Sequence, residues 1–252
     1  LAASAAPLLA LTYGWRSVYT AGALTAFMGA LLLAVAYHDP PRTDQSGAAS
    51  PRSFRDLSRD SQLWWIALIF NCQLLAQTSA TTYFVLFLHE SLEMPVVGAA
   101  TLFAVINGVA MVGRIGWGLL SDRSFRGKRK PVLFIIVVLT ICSSFIAALL
   151  SPHSPVVFAV GLAVLLGAAT FSWTGVLGTL IIETVGRESA GSAISLVQVF
   201  ATPASLLGPP LFGFLADRFG SYHVAWFGLT LVGMLGLFAV SKVKEASSEA
   251  VA

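Results

Sequence analysis

Arg114 is the one fully charged side chain set inside an apolar run of this sequence. The run closes as Gly113-Arg114-Ile115-Gly116-Trp117-Gly118-Leu119-Leu120-Ser121-Asp122-Arg123. On a helix Arg114 stands two turns before Asp122, about 12 Å further in. A cation at that depth costs a few kcal/mol on membrane-insertion scales, so it needs a partner. No Asp or Glu lies deep in any apolar run, and Glu183, near the end of one, is the nearest candidate. Two readings stay open. The guanidinium either faces a central cavity and grips the carboxylate of an anionic ligand in a bidentate fork, or it snorkels to the surface or pairs with a carboxylate there.

Other polar residues in apolar runs extend the first reading. Asn107 lies seven residues before Arg114 and shares its helical face. Residues 62–88 carry Asn71, Gln73, Gln77, Thr78, Thr81, Thr82 and Tyr83. At 100° per residue Asn71, Thr78 and Thr82 share one face, while Gln73, Gln77 and Thr81 share another. Gln73, Gln77 and Tyr83 are expected to line a water-filled path, with hydrogen bonding between helices as the equal alternative. Trp173, in the cluster Phe171-Ser172-Trp173-Thr174, could clamp a small organic group or simply pack. Gln198 and Ser205 repeat at i, i+7 in a run that also holds Pro203, Pro209 and Pro210; a hinge and a static kink are both compatible with those prolines.

Catalysis has little to stand on. His38, His89, His153 and His223 fall at run ends or in gaps, and neither Gly-x-Ser-x-Gly nor His-Glu-x-x-His occurs. Cys72 and Cys142 sit far apart in apolar runs and read as small core residues. No enzyme activity, cofactor or metal is expected.

The elements that must position these residues follow from composition. The chain is 56% hydrophobic and 11% charged, against about a quarter charged in soluble domains, which makes it a membrane protein. Its net charge of +3 comes from cations clustered in short polar gaps, a matter of topology and not of nucleic-acid binding. Residues 17–38 are free of Asp, Glu, Lys and Arg and form the first complete span. Residues 39–60, with Pro40, Pro41 and mixed charge, read as a surface linker, with a short amphipathic helix around 54–65. Spans follow at 62–88, 94–120, 131–150, 156–182, 190–215 and 221–241, the pair at 131–182 being separated by Ser151-Pro152-His153-Ser154-Pro155.

Counting cations in alternate gaps orients these spans. Arg42, Arg52, Arg55 and Arg59, then Arg123, Arg126, Lys128, Arg129 and Lys130, then Arg187, Lys242 and Lys244 all fall on one side. Only Arg16 and Arg218 fall on the other. By the positive-inside rule the linker and the C-terminus are expected in the cytoplasm. An internal echo supports the count: Gly118-Leu119-Leu120-Ser121-Asp122-Arg123 returns as Gly213-Phe214-Leu215-Ala216-Asp217-Arg218, three spans later and at the opposite side. Inverted three-helix units produce that placement.

The Gly-x-x-x-Asp-Arg segment with its basic run, the six spans after a linker and the Gly208-Pro209-Pro210-Leu211-Phe212-Gly213 segment together resemble the C-terminal half of a major facilitator superfamily transporter. The Gly14-Trp15-Arg16 turn and the span after it look like that family's connection from fifth to sixth helix, and the sixth helix itself. The resemblance implies an all-α membrane protein, a six-helix C-terminal bundle with one complete and one partial helix of the N-terminal bundle. Its expected divisions are residues 1–38, a linker at 39–61, the bundle at 62–241 and a tail at 242–252, with about five further helices upstream in a complete protein. One departure is plain: the family usually has Gly three residues after the Asp, where Phe125 stands here, and Gly127 follows two later.

The resemblance also implies a function. A secondary transporter moving a small solute by alternating access is expected in a bacterial-type inner membrane. Gly118, Asp122, Arg123 and Arg126 at one end and Gly213, Asp217 and Arg218 at the other would serve as gating elements. The placement of Arg114, Trp117 and Asp122 is similar to that of the oxalate/formate antiporter and monocarboxylate transporter groups. No Lys occurs in 190–215, where oxalate-type members carry one, so a monocarboxylate or a neutral solute fits better than a dicarboxylate. Drug or metabolite efflux by the same fold, and an inactive half-transporter, are the alternatives. Expected partners are the solute, the bilayer, the missing N-terminal helices and a proton as candidate coupling ion.

Overall fold

Without water to pair with backbone groups, a chain this apolar can bury itself only as helices or as a closed barrel. Long runs rich in Leu, Ala, Val and Ile with prolines at their ends take the first course. The structure, a computed structural model, describes residues 13–36 and 52–244. The expected partial helix before residue 13, most of the expected linker and the end of the tail lie outside the described residues.

Contacts divide the chain into two units, residues 1–49 and 50–252. The first contains α1 (Trp15–Ala36), none of whose side chains is buried. In the second, α2 (Phe54–Ser58) and α3 (Ser61–Ser91) precede α4 (Val96–Ser124) and α5 (Arg129–Leu149). Then come α6 (Val156–Ala168), α7 (Thr174–Val185), a 3₁₀ turn (Arg187–Ser189), α8 (Ala190–Phe219) and α9 (Tyr222–Lys242). Five helices, α1, α4, α5, α8 with the turn before it, and α9, are long and apolar enough to cross a membrane. At 31 residues α3 has the length, but Asn71, Gln73, Gln77 and its threonines dilute its hydropathy.

Caps set the boundaries. Ser53 accepts from the Asp56 amide and Asp60 from that of Gln62 (2.9 Å), which starts α2 and then restarts the chain as α3. The amphipathic helix expected across 54–65 is therefore two pieces. Leu57 is buried beneath the first, and the Trp64 indole donates to the Ser58 carbonyl across the break (2.8 Å). Pro203, Pro209 and Pro210 all lie inside an uninterrupted α8.

The span expected at 156–182 is broken. With 13 and 12 residues, α6 and α7 are about 20 and 18 Å long at 1.5 Å per residue, so neither alone covers a hydrocarbon core of about 30 Å. Small residues at Gly167, Ala168 and Ala169 run into hydrogen-bonding side chains at Thr170, Ser172 and Trp173, and residues 169–173 leave the helix.

Tertiary packing follows alternate crossings. α9 packs on α5 and α3, α3 on α8, and α4 on α6. Two apolar clusters result. One, at the Ser91 end, holds Phe84, Phe87, Ile106, Leu162, Phe212 and Trp226. The other, at the Asp122 end, holds Leu57, Ile66, Ile136, Leu177, Val197 and Val240. Between them runs a waist of buried Gln73, Ser79, Thr140, Ser143, Ser144, Thr170, Ser172 and Thr230. Gln73 Nε2 bonds Thr140 Oγ1 from helix to helix (3.2 Å), and Thr170 Oγ1, in the break, bonds the same Thr140 Oγ1 (3.5 Å).

Glycine lets backbones approach in and beside this waist. A Cβ at Gly167 would stand 2.6 Å from the Ile106 carbonyl oxygen and 2.8 Å from Val109 Cβ, whereas one at Gly161 would meet nothing within 4 Å. Overpacking of this kind costs about 1–3 kcal/mol. Gly167→Val should therefore lower the melting temperature of the detergent-solubilised protein by several degrees, while Gly161→Ala leaves it unchanged or slightly raised.

Candidate functional site

Around Arg114 the structure brings together α4 and the broken helix. Arg114 is exposed, and its Nη2 donates to the Phe171 carbonyl at 3.4 Å. Among the described residues no carboxylate lies within 4 Å of it. One turn on, the Trp117 indole donates to the Ala168 carbonyl (2.5 Å) and to Ser172 Oγ (2.9 Å), and the Ser172 hydroxyl also donates to the Ala168 carbonyl. Gly113 makes this approach possible: a Cβ there would stand 3.0 Å from Ser172 Cβ. The break frees carbonyls, and α4 supplies their donors.

From the other side, Gln77 Oε1 accepts from the Trp173 indole (2.9 Å). Trp173 is 1% exposed and packs edge-on against Phe70, so it presents no surface that could clamp a ligand in this conformation. Gln73 is equally buried and bonded to Thr140, so it joins helices and lines no path. Gln77, half-buried, stays beside the break. Asn107 is exposed on α4 like Arg114, its amide donating to the Phe103 carbonyl (2.9 Å). Gln198 is exposed on α8. Tyr83 has other neighbours: it stacks on Phe212 (4.9 Å between ring centroids), and its hydroxyl fills the space over Gly213.

At the Asp122 end the organising residue is Arg129, which the sequence had shown only as one of five clustered cations. It donates to Asp122 Oδ1 (2.7 Å) and to Glu183 Oε1 (3.1 Å), tying α4, α5 and α7 together. Its side chain is 14% exposed, against 59% for Asp122 and 35% for Glu183. A carboxylate at the C-terminus of a helix opposes the helix dipole, and Arg129 offsets that. The loop between α4 and α5 reverses through Arg126 (φ 53°) and Gly127 (φ 78°), with Ser121 Oγ donating to the Lys128 carbonyl (2.9 Å). Gly127 thus supplies a left-handed turn position that Phe125 could not readily take. Arg123 and Arg126 are exposed, and no side chain approaches the place of a Cβ on Gly118 among the described residues.

At the opposite end Tyr222 donates to Glu90 Oε2 (2.7 Å), joining α9 to α3. His223 Nδ1 bonds the Ala148 carbonyl (2.7 Å). Asp217 and Arg218 are exposed, and Asp217 borders an open cleft of about 640 Å³ with Glu90, Tyr222 and His223.

A helical bundle of alternating crossings, with one cation in its apolar length and an ion cluster at one end, defines an integral membrane protein of the facilitator type. The chain belongs to the Major Facilitator Superfamily, whose family model matches residues 1–209. It is 28% identical over 151 residues to monocarboxylate transporter 12-B of Danio rerio, covering 58% of this chain and 31% of that one. With monocarboxylate transporter 10 of Mus musculus it shares 31% over 130 residues, 50% of this chain and 24% of the other. An uncharacterized MFS-type transporter of Mycobacterium tuberculosis is 25% identical over 205 residues, 81% of this chain and 44% of its own length. The chain thus spans from about a quarter to under half the length of these curated relatives. Its fold matches that of FucP in the outward conformation (TM-score 0.70, 18% identity, 92% of this chain and 55% of that one). It also matches a bacterial homolog of the human lysosomal transporter Spinster, inward-facing and unoccupied (TM-score 0.63, 18% identity, 93% and 61%).

Exposure of Asp122 limits what its ion pair can contribute. In a double-mutant cycle on thermal stability, Asp122→Asn with Arg129→Gln should show coupling below about 1 kcal/mol. Arg129→Gln alone should destabilise more than Arg126→Gln, because it leaves two carboxylates without their shared cation.

Proposed function

We propose that this chain carries the C-terminal six-helix bundle and the end of the N-terminal bundle of a secondary transporter for a small organic anion of the monocarboxylate class. The two bundles would rock around a site near mid-membrane. The observation that carries this reading is Arg114: a guanidinium in the apolar length of α4, exposed, with one long bond to a neutral carbonyl. Five donors in a planar fork match a carboxylate well, and most of them are not engaged by that single contact. Similarity to proteins named monocarboxylate transporters supports the same class. Asn107, on the same exposed stretch, and Gln77, beside the break, are the polar residues assigned to orient the solute; Gln198 would contribute from α8.

In this reading the Asp122 end faces the cytoplasm, as the cation asymmetry requires, and the membrane is a cell membrane. The Asp122–Arg129–Glu183 cluster holds that end of the bundle, with Arg123 and Arg126 free to engage the other bundle when the inner mouth closes.

Uptake of labelled monocarboxylates into proteoliposomes tests this. Arg114→Gln should reduce uptake by tenfold or more with the protein still folded, and Arg114→Lys should retain part of it, because an ammonium keeps the charge and loses the fork. Uptake that survives Arg114→Gln would remove the anion-binding role, and a panel in which only neutral solutes move would remove the substrate class.

A further inference from the structure

Six side-chain contacts strap the break at residues 168–173, and they differ in kind. Trp117 and Ser172 hold the Ala168 carbonyl, Trp117 also bonds Ser172, Thr170 bonds Thr140, and Gln77 holds Trp173; these five involve neutral groups, and Thr170, Ser172 and Trp173 are buried. The sixth, from the exposed Arg114 to the carbonyl of buried Phe171, is charged on the donor side and long at 3.4 Å. A carboxylate forms charge-assisted bonds to guanidinium at about 2.8 Å and about twice as strong as neutral ones. Of the six straps, this is the one whose donor an anion can claim.

We infer that residues 169–173 form an anion-sensitive hinge, in which the Phe171 carbonyl is the resting partner of Arg114 and is released when an anion occupies the guanidinium. The inference rests on the reading of Arg114 as the anion site and adds what occupancy does to the protein. Freed of its donor in apolar surroundings, the carbonyl must find another. The segment therefore rearranges, and α7 shifts relative to α6 about the anchors that remain, Trp117 on Ala168 and Trp173 on Gln77. Gly113 and Gly167 keep α4 close enough to the segment for the exchange, since a Cβ at either would press on Ser172 or on the Ile106 carbonyl. Because the last turn of α7 carries Glu183, which pairs with Arg129, its shift reaches the ion cluster at the Asp122 end. Phe171 thereby acts as a positioning residue through its backbone, as do Trp117 and Ser172 through their side chains.

Hydrogen exchange of the full chain in nanodiscs, read by mass spectrometry over residues 165–177, tests this with pyruvate and benzoate as probes. Without any anion, Arg114→Gln should speed exchange in 169–173 about fivefold, the loss of roughly one hydrogen bond, with residues 159–166 unchanged. Arg114→Lys, which keeps a donor, should restore part of the protection. In the wild type, a probe that is also transported should produce the same local speeding, and it should add nothing in Arg114→Gln. Unchanged exchange in anion-free Arg114→Gln would overturn the hinge whatever the substrate is. Unchanged exchange with a transported probe would overturn its sensitivity to anions while leaving the anion site standing. Local speeding in Arg114→Gln, with neither probe bound nor carried and no other monocarboxylate transported, would instead overturn the anion reading, and the anion sensitivity with it.

Discussion

A backbone carbonyl in hydrocarbon must have a donor, and this requirement shapes the middle of the bundle. Elsewhere the helices satisfy it internally over most of their length, α8 lacking a donor at Pro203, Pro209 and Pro210. At residues 169–173 they do not, and the carbonyls of Ala168 and Phe171 are paired by Trp117, Ser172 and Arg114. Trp117 and Arg114 reach their acceptors because α4 lies close against the break, which Gly113 and Gly167 allow. The same level carries the buried hydroxyls and amides of Gln73, Thr140, Ser143, Ser144 and Thr170, while apolar clusters lie above and below. Gln73 and Thr170 pair there with Thr140 across elements, whereas Ser143 bonds a carbonyl of its own helix. Each such bond is modest in a membrane, about 0.6 kcal/mol on average, so the waist specifies arrangement more than it adds stability.

Electrostatics organise the two ends differently. At one, Arg129 takes two carboxylates from two other helices and is the most enclosed of the three. Lys130 beside it donates to the carbonyls of Ser241 and Val243, capping the end of α9. At the other end a neutral phenol meets a carboxylate, Tyr222 on Glu90, above the stacked rings of Tyr83 and Phe212. The first end is held by charges and the second by aromatic packing with a polar lid.

Much of this was legible in the chain before any coordinates. Run lengths, prolines and the distribution of cations locate the crossings to within a few residues, because hydropathy and helix-breaking are local properties. Arg114 stands out for the same reason, as a charge where the run is otherwise apolar. The break at 169–173 was not legible: Thr, Phe, Ser and Trp are tolerated in helices, and the segment departs from one because Trp117 and Arg114, more than 50 residues away, offer donors. Gln73 and Gln77 share a helical face by spacing, yet one is buried against Thr140 and the other, half-buried, bonds Trp173. Arg129 was hidden among like neighbours, since nothing in a run of cations says which one turns inward.

By itself, then, the sequence determined that this is a membrane bundle, where its crossings lie, and that one cation sits within them. Those are consequences of composition and of periodicity along a single helix. Only the tertiary structure decided what opposes each face: the Phe171 carbonyl before Arg114, Asp122 and Glu183 around Arg129, and Gly213 beneath Tyr83. Helical spacing states which way a side chain points, and packing between helices far apart in the chain states what it meets.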